Sequence, residues 1–118
     1  MCAIRCSFDF GNVLFIYCYM PYETNEFSRA EFCSQLDAVK FILGSNSRCH
    51  VIIGGDFNVD LSRDCVNTAA LMEFCSQLKL YPAVKHSRCS FDYSYHFSMK
   101  RFSLVDHFVV SEQLFVNL

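Results

Sequence analysis

The sequence predicts one mixed α/β (α+β) domain, in which strands alternate with amphipathic helices. Apolar runs of strand length recur along the chain, and between them apolar residues follow helical spacing. The 118 residues suffice for one domain or a piece of one. Apolar residues make up 53% of the chain and include 13 Phe and 6 Tyr, which is high for a small domain. Some of this apolar surface is therefore expected to meet a partner layer.

The chain is predicted to begin with two strands, over residues 3–8 and 13–19. The link between them, residues 9–12, is rich in turn-forming residue types. Pro21 lacks a backbone N–H and therefore ends the second strand.

A helix over residues 28–43 is predicted next. Asn25 and Ser28 are candidate N-caps, and Gly44 is a candidate C-cap. The apolar positions with helical spacing are Phe32, Leu36, Val39 and Leu43.

The second half of the chain is predicted to hold two strands and one long helix. A buried strand near residues 50–55 is followed by a polar loop and a helix over residues 67–78. Residues 81–101 are less regular, with a short strand allowed at 89–91. A strand over residues 104–110 and one helical turn close the chain.

A chemical site is predicted where the strand Val51–Ile53 runs into Gly54, Gly55, Asp56, Phe57 and Asn58. The glycines let the backbone turn or approach another group closely. If the chain stays extended, Asp56 and Asn58 point to the same face. A carboxylate beside an amide can hold a water molecule by its proton and its lone pair, which suits hydrolysis. The alternative is an ordinary turn, because Gly, Asp and Asn favour turns.

The cysteines and the charge exclude several classes of protein. None of the 8 cysteines forms a Cys-x-x-Cys zinc motif. Most lie among apolar neighbours and are therefore expected to be small buried hydrophobic residues. No signal peptide is visible, and the apolar run at 13–20 is too short to span a bilayer. The net charge of −2 argues mildly against a strong electrostatic grip on DNA. We therefore expect an intracellular protein, in the nucleus or the cytoplasm, without a membrane partner.

Three segments, at residues 17–21, 54–58 and 103–111, together resemble the endonuclease/exonuclease/phosphatase superfamily, which includes DNase I. Tyr17-Cys18-Tyr19-Met20-Pro21 is similar to its Tyr-x-Pro strand end, and residues 54–58 resemble its Gly-Asp-Phe-Asn signature. Ser103-Leu104-Val105-Asp106-His107-Phe108-Val109-Val110-Ser111 is similar to a late strand of that family. The residues of all three segments, together with Val59-Asp60-Leu61, most resemble the endonuclease domains of LINE-type retrotransposons. The resemblance implies a DNase I-like two-sheet sandwich flanked by helices.

The resemblance also implies catalytic roles for four residues. Asp56 would orient or deprotonate the attacking water, and Asn58 would hold that water or the scissile phosphate. Tyr19 would donate its phenolic hydrogen to a phosphate oxygen or stabilise the leaving side, and Asp106 would orient a histidine. His107 points to the opposite strand face from Asp106, so it is interpreted as a packing or surface residue. The implied cofactor is Mg²⁺, and the implied substrate of the intact parent is DNA.

Two parts of the family pattern have no counterpart in this chain. One is the early segment that carries the metal-ligating glutamate, and the other is the final Ser-Asp-His segment. Residues 1–118 are therefore expected to be the middle portion of such a domain, unable to form a metal site alone and poorly active or inactive. We also expect exposed sheet edges through which the chain could associate. Lys100 and Arg101, with aromatic residues nearby, are candidate substrate-binding residues; solvated loop charges are the alternative.

Three functions remain open at this point. The first is a fragment of a retrotransposon endonuclease that nicks DNA. The second is another branch of the superfamily that acts on lipid or inositol phosphates, with the loop after Tyr81 deciding between the two. The third is a catalytically silent remnant that only contacts nucleic acid or protein.

Overall fold

The computed structural model describes residues 1–90, 94–98 and 101–118. In this structure the chain folds into a five-stranded mixed sheet with its two long helices on one face. The strands are β1 (Cys2–Phe8), β2 (Gly11–Tyr19), β3 (His50–Asp56), β4 (Leu80–Pro82), β5 (Tyr95–Ser98), β6 (Arg101–Ser103) and β7 (Asp106–Ser111). The helices are α1 (Glu26–Gly44), α2 (Val66–Leu78) and α3 (Glu112–Val116), with a 3₁₀ turn at Ala83–Lys85. The mixed α/β architecture predicted from the sequence is thus confirmed.

The order of strands in the sheet is β1-β2-β3-β7-β4. β1 and β2 form an antiparallel hairpin, whereas β2 and β3 are parallel and are joined by α1 as the crossover. β7 pairs antiparallel with both β3 and β4. β5 and β6 form a separate two-stranded hairpin. Because β7 is inserted next to β3, the end of β3 meets the start of β7.

The helix α1 begins with the cap that the sequence predicted. The Asn25 side chain accepts from the Ser28 backbone N–H, and the Ser28 side chain accepts from the Asn25 N–H, which is a capping box. Both candidate caps are therefore used, one as N-cap and one as its partner. The helix runs through Gly44, and Ser45 takes the C-cap position that was predicted for Gly44.

The core lies between the sheet and the two long helices. Side chains of α1 and α2 pack on alternate residues of β2, β3 and β7 to form a single buried cluster. Its central members are Ile16, Cys18, Phe32, Val39, Ile53, Leu71 and Val109. Cys18 and Cys75 lie in this core, and burial raises the pKa of the Cys18 thiol to about 11 and that of Cys75 to about 12. The other cysteines are exposed or only partly buried, so the expectation that most of the cysteines are small buried residues is wrong.

The last strand of the sheet begins later than the sequence predicted, at Asp106 instead of residue 104. Val105 is occupied by other contacts: its carbonyl accepts from the Phe57 N–H, and its N–H donates to Ser94 Oγ. These bonds lead to the turn after β3 and to Ser94, the residue just before β5, so Val105 is not available to the sheet ladder. The strand allowed at 89–91 is wrong for Cys89 and Ser90, which lie in no strand, and Phe91 lies outside the described residues.

The long helices α1 and α2 pack on the first face of the sheet, and large apolar side chains on the second face are exposed. The large apolar side chains on it are Ile4, Phe15, Tyr17, Ile52 and Phe108, and we call this surface the open face. Four of them are exposed, with Phe108 at 62% and Ile4 at 61%. A shallow cavity of about 430 Å³ lies over this face. Among the described residues, no helix is both long and apolar enough to cross a membrane.

Candidate active site

Three strands bring polar side chains to one end of the sheet. Tyr19, the last residue of β2, is the register partner of Asp56 at the end of β3. Asp56 is in turn the partner of Asp106, the first residue of β7. Register partners point to the same side of a sheet, with neighbouring Cβ atoms about 5 Å apart across an antiparallel pair. Tyr19, Asp56 and Asp106 therefore form one row, which we call the polar row.

The polar row continues the open face without a break. The next row along the sheet is Tyr17, Gly54 and Phe108. The Phe108 ring lies over Gly54, because a Cβ on that glycine would be 2.7 Å from Phe108 Cε1. The site is thus the polar end of an apolar surface.

Gly55 sets the backbone geometry just before Asp56. Its φ of +141° lies in the region that only glycine adopts readily. A Cβ here would be 1.9 Å from the backbone carbonyl oxygen of Cys18. The absence of a side chain therefore lets β2 and β3 approach each other beside Tyr19 and Asp56. The two glycines that the sequence singled out act as close-approach residues, one for a ring and one for a neighbouring strand.

Asn58 is held by two hydrogen bonds. Its backbone N–H donates to Asp56 Oδ1 at 2.9 Å, and its side-chain Nδ2 donates to the Met20 carbonyl oxygen at 2.8 Å. Its φ of 49° is left-handed, a conformation that asparagine tolerates better than most residues. Because Nδ2 faces a carbonyl, Oδ1 of Asn58 remains as an acceptor, and within the described residues neither it nor Asp56 Oδ2 receives a hydrogen bond.

The turn after β3 is anchored to β7 from the core side. His107 is buried, and its Nε2 lies 2.6 Å from the Val59 carbonyl oxygen. The Phe57 side chain is buried beside the His107 ring, at 6.0 Å between ring centroids. As the sequence predicted, His107 faces away from Asp106, and of the two roles left open it is packing, not surface. These contacts fix the turn that carries Asp56 and Asn58.

The arrangement supplies acceptors for a water molecule and one donor for an anion. Asp56 Oδ2 and Asn58 Oδ1 can accept the two hydrogens of one water, and the Tyr19 hydroxyl can donate to an oxygen of a phosphate. Tyr19 is 62% exposed, so a large substrate can reach it. Among the described residues, no group of three His, Cys, Asp or Glu could hold a metal ion.

The candidate substrate-binding residues are only partly placed. Lys100 lies outside the described residues, and Arg101 is the first residue of β6. Arg88, from the same basic region, donates to the C-terminal Leu118 carbonyl oxygen at 2.8 Å.

Glu23 is a residue of this end of the sheet that the sequence reasoning missed. It lies in the loop from β2 to α1, and its carboxylate contacts Arg29 and the backbone N–H of Asn67. The Asn67 side chain is fully buried, and its polar atoms have no hydrogen-bond partner in the part of the chain that the structure describes. A lone glutamate in a loop gives no signal in the sequence, because its partners are distant along the chain.

The fold is shared with known structures. No protein-family model matches the sequence, and no curated protein matches it. An endonuclease/exonuclease/phosphatase family protein from Bacteroides thetaiotaomicron is similar, with a TM-score of 0.60, 23% identity, and coverage of 88% of this chain and 37% of that one. The architecture is therefore that of the DNase I-like fold, as the three motifs implied.

Two further structures extend the comparison. A mannosyl-6-phosphatase of the same bacterium has a TM-score of 0.56 and 25% identity, over 86% of this chain and 38% of that one. A 3′ phosphatase from Neisseria, bound to a product DNA hairpin, has a TM-score of 0.63 and 17% identity, over 97% and 53%. This chain spans between about a third and a half of the length of these structures.

Proposed function

We propose that this chain is part of a phosphate-ester hydrolase of the endonuclease/exonuclease/phosphatase class. More specifically, we propose the DNA-nicking endonuclease domain of a retrotransposon polyprotein. The observation that carries the proposal is the polar row, with Asn58 fixed beside it by the Met20 carbonyl. Residues 1–118 would then be a portion of a larger domain, which is supported by the coverage of 37% to 53% of the similar structures.

The chemistry follows from the groups that the row presents. Asp56 would orient the attacking water and take its proton, while Asn58 Oδ1 accepts the second hydrogen. The Tyr19 hydroxyl would donate to a non-bridging oxygen of the phosphate, where negative charge increases in the transition state. Asp106 would fix the tautomer of an imidazole that the described residues do not supply at this position.

A divalent ion is the cofactor that the family resemblance implies, and the described residues do not complete a site for it. When bound, such an ion offsets charge on the phosphate and on the leaving oxygen. We therefore propose that the chain alone is a poor or inactive nuclease. It retains groups that place a water molecule and contact a phosphate.

A plasmid-nicking assay with Mg²⁺ tests this account. The purified chain is compared with Asp56→Ala and Asp106→Ala, and with Asp9→Ala as a matched control in the turn at the opposite end of β2. We expect at most trace nicking by all four proteins. Robust nicking that Asp56→Ala abolishes and Asp9→Ala keeps would show that the account of the missing ligands is mistaken.

Binding of a dinucleotide such as TpT tests the hydrolase assignment separately from turnover. We expect TpT to shift the NMR signals of the Asn58 side-chain amide, and Tyr19→Phe to weaken that binding by about tenfold, through loss of one hydrogen bond to a charged group. No binding, or binding that Tyr19→Phe and Asp56→Ala leave unchanged, would contradict the proposal and favour a silent contact module.

The phosphomonoesterase branch is the alternative that a specific observation favours. The mannosyl-6-phosphatase shares 25% identity with this chain. Release of inorganic phosphate from inositol polyphosphates, lost in Asp56→Ala, would support this branch over the endonuclease. A reverse transcriptase encoded next to this sequence would support the retrotransposon assignment.

Two further points are proposals as well. One is that the protein acts in the nucleus or the cytoplasm, and the other is that Lys100 and Arg101 contact DNA.

A further inference from the structure

The loop between β2 and α1 is held at both of its ends. At one end, the Met20 N–H donates to the Asp56 carbonyl oxygen at 2.8 Å, and the Met20 carbonyl accepts from Asn58 Nδ2 at 2.8 Å. At the other end, Glu23 Oε2 accepts from the Asn67 N–H at 3.0 Å, and Glu23 Oε1 lies 2.9 Å from Arg29 Nε. Only Pro21 and Tyr22 separate the two anchors. We call the segment from Met20 to Glu23 the strap.

The anchor at Glu23 joins three elements through one carboxylate. Asn67 lies in the first turn of α2, where backbone N–H groups lack partners within the helix and the helix dipole favours an anion. Arg29 comes from α1 and supplies the opposite charge. The Glu23 side chain is only 16% exposed, so both contacts are partly shielded from solvent. Charge-assisted bonds of this kind are stronger than neutral ones.

The short span makes the two anchors dependent on each other. Proline fixes one of the few backbone angles between Met20 and Glu23, so we expect a displaced Glu23 to shift the Met20 carbonyl as well. That carbonyl accepts the hydrogen bond that orients the Asn58 side chain. A loose strap would therefore leave Asn58 free to rotate away from Asp56.

We propose that Glu23 is a positioning residue, which holds the Met20 carbonyl in place and thereby orients Asn58 in the polar row. The inference rests on the proposed function for its consequence in catalysis, but the strap itself is a structural relation that can be measured without substrate.

The strap is expected to depend on pH. The Asn67 N–H lowers the pKa of the Glu23 carboxyl below its ordinary value of 4.5, against the opposing effect of burial, and Cys65 and Arg29 lower it further. These groups, from α2, the loop before it and α1, are the ones that face the carboxylate. Because the folded pKa is depressed, the contact is complete above 4.5 and is lost as the pH falls through the lower folded value.

The test uses NMR of the ¹⁵N-labelled chain and needs no nucleic acid. The measured quantity is the hydrogen-exchange rate of the Asn58 side-chain amide, relative to that of Asn12 at the opposite end of β2. We expect Glu23→Ala to raise this relative rate by about tenfold, and Glu23→Gln to raise it less because an acceptor for the Asn67 N–H is kept. The control Glu31→Ala, at an exposed position of α1, should change nothing.

A pH titration gives a second readout that a merely structural role would not move. Asp56 also contacts Asn58, so the titration compares Asp56→Asn with the double variant Asp56→Asn/Glu23→Gln. The Asn58 side-chain amide signal should shift with a midpoint below pH 4.5 in the first protein, and this component should be absent from the second. If Glu23→Ala fails to fold, the exchange rate in Glu23→Gln and this titration test the positioning role of Glu23.

Unchanged exchange of Asn58 in a folded Glu23 variant, or the same titration in both proteins, would overturn the proposal. Failure of the proposed function gives a different pattern. In that case TpT does not bind, while the Asn58 signals still respond to Glu23.

Discussion

Gly55→Ala should destabilise the chain more than any other single-methyl addition at a glycine. The new Cβ would be 1.9 Å from the Cys18 carbonyl oxygen, and real Cβ contacts are not shorter than 3.0 Å. The obstacle is backbone in the neighbouring strand, so rotation of a side chain cannot relieve it. The strands β2 and β3 would have to separate by roughly 1 Å from a normal spacing of about 4.8 Å.

The expected loss of stability has two parts. Forcing alanine to a φ of +141° costs about 1–3 kcal/mol. Separating the strands weakens ladder hydrogen bonds beside Gly55, each with a net contribution of about 1 kcal/mol. Together they amount to about 3–5 kcal/mol, a large fraction of the 5–15 kcal/mol that stabilises a typical domain.

Urea denaturation followed by far-ultraviolet circular dichroism measures this effect against matched controls. With a slope of about 1–3 kcal/mol per molar urea, Gly55→Ala should lower the midpoint by more than about 1 M or prevent folding. Gly54→Ala should cost less, because the Phe108 ring that it meets is 62% exposed and can rotate, and Gly54→Ala/Phe108→Ala should recover the loss.

Among the glycine-to-alanine variants, Gly44→Ala is the one expected to be tolerated best. Nothing lies within 4 Å of its Cβ position in α1, so it should stabilise by about 0.5–1 kcal/mol. If Gly55→Ala unfolds at the same urea concentration as Gly44→Ala, the close approach of β2 and β3 at this point is refuted.

Two further predictions concern the cysteines and the open face. At pH 8, exposed Cys2, Cys33 and Cys65 should react with a disulfide reagent in the folded chain, whereas Cys18 and Cys75, whose pKa values burial raises to about 11 and about 12, should react only after unfolding. Equal rates for Cys18 and Cys33 would contradict the packing of the core. Tyr17→Lys/Phe108→Lys should reduce binding of a hydrophobic dye and slow aggregation, with little loss of stability, because both side chains belong to an exposed apolar patch. Phe41→Lys is the control, because this residue of α1 is 78% exposed and lies outside the patch. An equal effect of Phe41→Lys would show that the open face is not the surface responsible for dye binding and aggregation.

The sequence alone determined the elements whose signals are local. The cap at Asn25 and the spacing of Phe32, Leu36 and Val39 sufficed for α1, because neighbours on a helix surface are close in sequence. The apolar run before Gly54 sufficed for β3, and the glycines marked a close approach without naming its partners. Sequence motifs predicted Tyr19, Asp56 and Asp106 as candidate site residues, but a motif gives no distances between residues.

The tertiary structure alone decided how these parts meet. The polar row exists because β7 pairs with β3 in one particular register, and a shift by one residue would send Asp106 to the core and His107 to the open face. The start of β7 at Asp106 likewise depends on Phe57 and Ser94, which take the hydrogen bonds of Val105. The role of Glu23 was found only from its contact with the backbone N–H of Asn67, which is distant from it along the chain. Such pairings are set by long-range contacts, and a local sequence pattern carries no information about which distant backbone group a side chain will reach.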